Sequence, residues 1–175
     1  ILLVVCKLTL KYRQVITAKI LSMMLLSAAC YMLQSLVDDM FYLQLIFGIG
    51  AMANPALFWM FASTLFQMGE NSQKLHIGHY LGLAVCLSLG TYEYLQPPAG
   101  LDGSVIHTIS LAVTSALTVL GLLDIFRNWQ SDLVECRRLL RLGLSVTSGA
   151  FLLFIVVNKF IYGHVEFPAF LNYLN

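Results

Sequence analysis

The sequence predicts an all-α fold: a polytopic helical membrane bundle with five complete spans and truncated first and last spans, from a parent with seven. Three observations predict it. Apolar residues make up 59% of the 175-residue chain and charged residues only 11%, with mean hydropathy +0.80; soluble domains carry about 25% charged residues. The apolar residues fall into long runs separated by short polar connections. Nine of the ten Lys and Arg residues fall on alternate connections, which is the pattern of a chain threaded back and forth through a bilayer.

The elements follow in order. A spanning helix needs about 20 mostly apolar residues. Residues 1–10 are too few and read as the end of a cut helix, and residues 167–175 as the start of another. Complete spans are expected near 15–36, 41–66, 77–95, 104–126 and 142–162. Val37-Asp-Asp-Met40 predicts a tight turn and an antiparallel hairpin, and Gln96-Pro-Pro-Ala-Gly-Leu-Asp-Gly103 a helix breaker. Short connections place successive helices side by side. The whole of 1–175 reads as one transmembrane domain.

Lys7, Lys11, Arg13, Lys19, Lys74, Arg127, Arg137, Arg138 and Arg141 share one side; only Lys159 belongs to the other, where Asp38, Asp39, Glu93, Asp102 and Glu166 lie. Basic residues stay cytoplasmic. The expected topology is multi-pass, with an external N-terminus and a cytoplasmic C-terminus.

Two segments stand out for chemistry. In the stretch 127–141, Ser131 can cap a helix whose first turn carries Asp132 and Glu135, with Arg137, Arg138 and Arg141 toward its end. That order complements the helix dipole, and Leu133 offers apolar contact. Its simplest role is a topology anchor on anionic headgroups; the sharper one is a coupling element touching a cytoplasmic output. In the third span, Asn54 and Pro55 precede Phe58 and Trp59. Proline removes a backbone donor and predicts a kink, either static or part of a pocket or moving joint.

Lesser candidates are ordinary on their face. His76 and His79, three residues apart, form an interfacial pair rather than a metal site. Glu93 with His107, and His164 with Glu166, flank external connections as solvated caps or as a pH- or cation-sensitive mouth. Asp124 can pair with Arg127, and Lys159 beside Asn158 can snorkel outward. Cys6, Cys30, Cys86 and Cys136 show no ligand spacing. With no nucleophile elbow, HExxH, phosphate-binding glycine loop or paired carboxylates, no catalytic residue, cofactor or metal is expected. An enzyme or an ion-coupled transporter is disfavoured.

Asp132-Leu-Val-Glu-Cys-Arg-Arg-Leu-Leu-Arg141 resembles the DLVExRRxLR element of the membrane-embedded input domains of bacterial AraC-type transcriptional regulators. Pro55-Ala-Leu-Phe-Trp-Met-Phe-Ala-Ser-Thr-Leu-Phe66 resembles a second run in that family, and Lys11-Tyr-Arg13 its basic turn after the first helix. The resemblance implies a sensory and anchoring domain with the lipid bilayer and a small ligand as partners. DNA would be bound only through a C-terminal helix-turn-helix domain absent from this chain. Such regulators commonly act as dimers, so a homodimer is compatible with it, though no feature of the spans specifies one. The alternatives are a sensor bundle serving a histidine kinase or a cyclic-dinucleotide enzyme, or a small transporter.

Overall fold

The computed structural model describes residues 15–34, 36–37, 40–65, 75–95 and 101–128, with residues 5, 7, 11, 143, 145–150, 152–154 and 157. Among them every regular element is helical. We number five helices: α1 (Ile16–Gln34), α2 (Phe41–Met52), α3 (Asn54–Leu65), α4 (Ile77–Leu95) and α5 (Leu101–Asn128). A shorter apolar helix, Ser145–Phe154, follows.

Three stretches are long and apolar enough to cross a bilayer by length and composition: Ile16–Gln34, Phe41–Thr64 and Val105–Arg127. Helix α4 matches α1 in length, but His79, Ser88, Thr91, Glu93 and three tyrosines make it less apolar, and it is not among the three. Helix α5 starts at Leu101, so Leu101, Asp102 and Gly103, expected in the breaker, are helical. Proline restricts the residue before it and its own backbone, not residues further along.

The distribution of polarity is that of a bundle bathed in lipid. Outward positions are strongly apolar: Met23 and Leu26 on α1, Tyr42 and Ile46 on α2, Leu81 and Val85 on α4, and Leu123 and Phe126 on α5 are all exposed. Small hydroxyl residues lie inside instead, including Ser22, Ser27, Ser63, Thr64, Ser110 and Thr118. Several return their proton to the helix's own carbonyls, as Ser22 Oγ does to Ala18 O at 2.8 Å and Thr118 Oγ1 to Thr114 O at 2.8 Å. This satisfies the hydroxyl where water is absent.

Helices α1 and α2 form a hairpin. Backbone bonds Leu36 N to Leu33 O, Val37 N to Gln34 O and Met40 N to Val37 O tighten the connection. Ser27 Oγ donates to Gly50 O across it at 2.7 Å, and Cys30 packs against the same glycine. Gln34 Nε2 then donates to the Tyr94 hydroxyl on α4. The Tyr94 ring lies so close over Gly48 that any side chain there would collide with it.

The span expected as one helix over 41–66 is two helices, parted at Ala53. Ala53 keeps right-handed helical angles (φ −70°, ψ −18°), but its N–H turns to Ala51 O. Pro55 has no N–H to give that carbonyl, so the regular ladder cannot run through. Pro55 thus falls in the first turn of α3, where its missing donor costs little. The helix resumes with Leu57 N donating to Ala53 O at 3.0 Å.

Helix α3 is the centre of the molecule. Over the span that contains it, 56% of residues are buried, against 22% and 28% for the spans on α1 and α5. It packs chiefly against α5 and α1, and also meets α4. Ile20 and Met24 come from α1, Ile125 from α5 and Leu152 from the last helix, joining Leu57, Phe58, Met60 and Phe61 in one core. Ala56, Cys86 and Leu117 form a second, smaller cluster. Lipid tails are as apolar as leucine, so close packing supplies the association, and small residues permit it. The Phe58 ring sits between Gly121 of α5 and Gly149.

Candidate functional site

Of residues 53–64, Trp59 alone is not fully buried. Its neighbours seal α3 all round; its indole opens a gap between the end of α3, the start of α4 and the last part of α5. Gly78 and Gly82, one turn apart on α4, let the ring lie flat. A Cβ at Gly82 would stand 3.3 Å from Trp59 Cζ3, and one at Gly78 4.0 Å from Cη2.

The indole makes two specific contacts. Trp59 Nε1 donates to Asp124 Oδ2 at 3.0 Å. The ring also stacks in a tilted arrangement on His79, with centroids 4.3 Å apart and planes at 34°. His79 is buried, and its Nδ1 lies 3.2 Å from the His76 carbonyl. A carbonyl only accepts, so Nδ1 carries a proton. In the neutral ring Nε2 is then an acceptor, and it is buried without a hydrogen-bond partner. Around these groups runs a cleft of about 340 Å³, lined by Trp59, Ser63, His76, Gly78, His79 and Asp124, with Leu120. That volume lies at the small end of ligand sites. Asp124 is the one acidic group among the described lining residues, and an ionisable side chain within a span is a functional candidate on energetic grounds.

Of the sequence candidates, Asn54, Pro55 and Phe58 lie buried in α3, and Trp59 faces the cleft. Asn54 and Pro55 sit at the helix break, more than a turn from the cleft. Phe58 faces the other way, into the core. His76 and His79 share the cleft with Asp124. No group of three His, Cys, Asp or Glu among the described residues is placed to hold a metal. Asp132, Leu133, Glu135, Arg137, Arg138 and Arg141, as well as Asn158, Lys159, His164 and Glu166, lie outside the described residues.

Sequence reasoning missed the link between Trp59 and Asp124. They are 65 positions apart, and each has a bland local explanation. The available signal was the acid itself, placed two residues before the end of an apolar run.

At the opposite end of α4, His107 Nδ1 donates to Glu93 Oε1 at 2.9 Å and Ser110 Oγ to Glu93 Oε2 at 3.2 Å. These bonds tie the end of α4 to the start of α5. No protein-family profile matches the chain, and neither a curated protein nor a solved structure matches it.

Proposed function

We propose that this chain is the membrane-embedded sensory and anchoring domain of a bacterial regulator. It controls a fused cytoplasmic AraC-type DNA-binding domain from the inner membrane, with the N-terminus outside and the C-terminus cytoplasmic. The observation that carries the sensory half is the central helix, buried on every side except where Trp59 meets the cleft. A ligand there touches α3, α4 and α5 together, and it shifts the packing if it binds one arrangement better than another. The AraC-type output is supported by the resemblance of Asp132–Arg141 and Pro55–Phe66 to that family's elements. The orientation is supported by the nine-to-one division of Lys and Arg.

Helix α5 carries Asp124 and runs directly into the basic stretch beginning at Arg127. A tilt or shift of α5 therefore moves that stretch at the inner face, against the output domain. The test pairs two measurements on the protein encoded by the full reading frame. Two helix-turn-helix units after Asn175 are expected; a kinase or cyclic-dinucleotide domain there refutes the AraC-type output. In a promoter-reporter strain, Arg137→Glu with Arg138→Glu is expected to abolish signal-dependent output while membrane insertion persists. Loss of insertion instead would assign the arginines to anchoring alone.

A further inference from the structure

The end of α4 away from the cleft carries its own chemistry. Glu93 accepts from α5 on both carboxylate oxygens: His107 Nδ1 donates to Oε1 at 2.9 Å, and the buried Ser110 Oγ to Oε2 at 3.2 Å. An ionised carboxylate only accepts, so the neutral imidazole carries its proton on Nδ1, and Nε2 is where a second proton enters. Solvent reaches the pair, for the side chains of His107 and Glu93 are 32% and 21% exposed. Histidine changes charge between pH 5 and 8. A proton on Nε2 adds the attraction of opposite charges to a hydrogen bond that already joins the two helices.

We infer that Glu93, His107 and Ser110 form a proton-responsive clasp, which tightens the start of α5 against the end of α4 when His107 is protonated. The inference goes beyond the ligand reading of the cleft and rests on the proposed function only for orientation, which makes this end the outer face. Helix α5 runs unbroken from the clasp to Arg127, so it is the element through which acid outside reaches the inner face. The added stabilisation is present while His107 is protonated and Glu93 ionised. It is lost as pH rises through the histidine range, and lost again as pH falls through the carboxylate range.

The surrounding groups leave that response to the pair. The other titratable residues described at this end are tyrosines: Tyr31 on α1, Tyr42 on α2, and Tyr92 and Tyr94 on α4. Tyrosines keep their protons below about pH 9. Helix α3 has no titratable residue. Lys19 in the first turn of α1 and Arg127 in the last turn of α5 lie at the opposite end. Asp102 precedes His107 by five residues on α5, which sets it roughly 140° round the helix. Asp38, Asp39, Lys159, His164 and Glu166 lie outside the described residues.

The experiment uses the full chain in lipid nanodiscs. Hydrogen exchange of residues 101–110 is followed by mass spectrometry from pH 4 to pH 8. It is expressed as protection relative to the unstructured rate at each pH, with α1 as the internal control. Protection at the start of α5 is expected to rise about fivefold between pH 8 and pH 5.5, the size of a favourable, partly exposed ion pair, and to fall again toward pH 4. His107→Gln keeps an N–H donor without a titrating ring and is expected to flatten the rise. Glu93→Gln keeps an acceptor without its charge and is expected to abolish it.

A flat profile in the unaltered chain overturns the inference, as does a rise that persists in His107→Gln or one shared equally by α1. If either variant loses its helical circular dichroism, the other variant and the α1 control decide. Exchange is read without any output domain. A pH-dependent clasp beneath a reporter indifferent to external pH refutes the sensory reading alone, and a pH-responsive reporter over a flat exchange profile refutes the clasp alone.

Discussion

Replacing Gly121 by alanine tests whether close helix packing holds α3 in place. A methyl group there would stand 2.8 Å from Phe58 Cδ1 and Cε1 and 3.3 Å from Trp59 Cα. Carbon atoms pack best at about 3.5–4.0 Å, so the ring must retreat by most of an ångström. Phe58 is fully buried in the core, so its ring can yield only by displacing the residues packed around it. Overpacking of this kind costs about 1–3 kcal/mol, while alanine in place of glycine within a helix returns about 0.5–1 kcal/mol. The net expectation is a loss of about 1 kcal/mol, rising to about 2 kcal/mol if the α3–α5 backbones must part. The matched control is Gly143→Ala, where an added Cβ meets nothing within 4 Å among the described residues. It keeps only the helix gain and is expected to stabilise by about 0.5–1 kcal/mol. Unfolding in mixed micelles with rising dodecyl sulfate, followed by circular dichroism, measures both. Phe58→Leu should rescue part of the Gly121→Ala loss, with a coupling of about 0.5 kcal/mol or more. If Gly121→Ala is as stable as Gly143→Ala, the close approach of α3 and α5 is refuted.

Trp59→Phe removes the donor to Asp124 and is expected to cost about 1–3 kcal/mol, because a carboxylate loses a partner inside a span; a double-mutant cycle with Asp124→Ala, which removes the acceptor, should show positive coupling, and additive losses would argue against the bond. Ser27→Ala removes the bond to Gly50 O and is expected to cost only about 0.6 kcal/mol, the ordinary worth of an interhelical hydrogen bond in lipid, read in the same unfolding assay. Glu93→Gln should weaken the tie between α4 and α5 at His107 and accelerate hydrogen exchange at the start of α5, whereas unchanged exchange there would show that the pair is incidental.

How much of this was legible depended on range. The apolar runs announced α1, the two halves of the central span and α5, because hydropathy is a local sum. The break at Ala53 was signalled two residues later by Pro55, whose missing donor is also local. The expected kink inside a helix and the observed junction of two helices differ by where Pro55 falls, in a first turn rather than mid-helix. The cleft was not legible. Trp59, His79 and Asp124 lie on three helices, and each looks routine alone: an aromatic in a span, an interfacial histidine, an acid one turn before an arginine. Only packing brings them together, and that packing depends on Gly78, Gly82 and Gly121, whose importance lies in side chains they lack.

The break at Ala53 gives the two halves of the central span partly different attachments, since both pack against α1 and α4 but α3 packs most extensively against α5. Below it, α2 is bound to α1 through Ser27 and Gly50, and to α4 through Tyr94 over Gly48 and Met52 against Gly90. Above it, α3 is bound to α5 at Gly121 and to α4 at Gly82, beside the cleft. A rigid helix through both regions would tie any displacement at Trp59 to the Tyr94 end of α4. With the ladder interrupted at one residue, the backbone does not tie α3 rigidly to α2, and the core that α3 shares with α1 and α5 sets its position. Interrupted backbone is tolerated within a membrane only where protein buries it, and Ala53, Asn54 and Pro55 are all buried. The break therefore sits where it can be kept without exposing polar backbone to lipid. The half beyond it is the half that bears the cleft and leads, through α5, to the basic stretch.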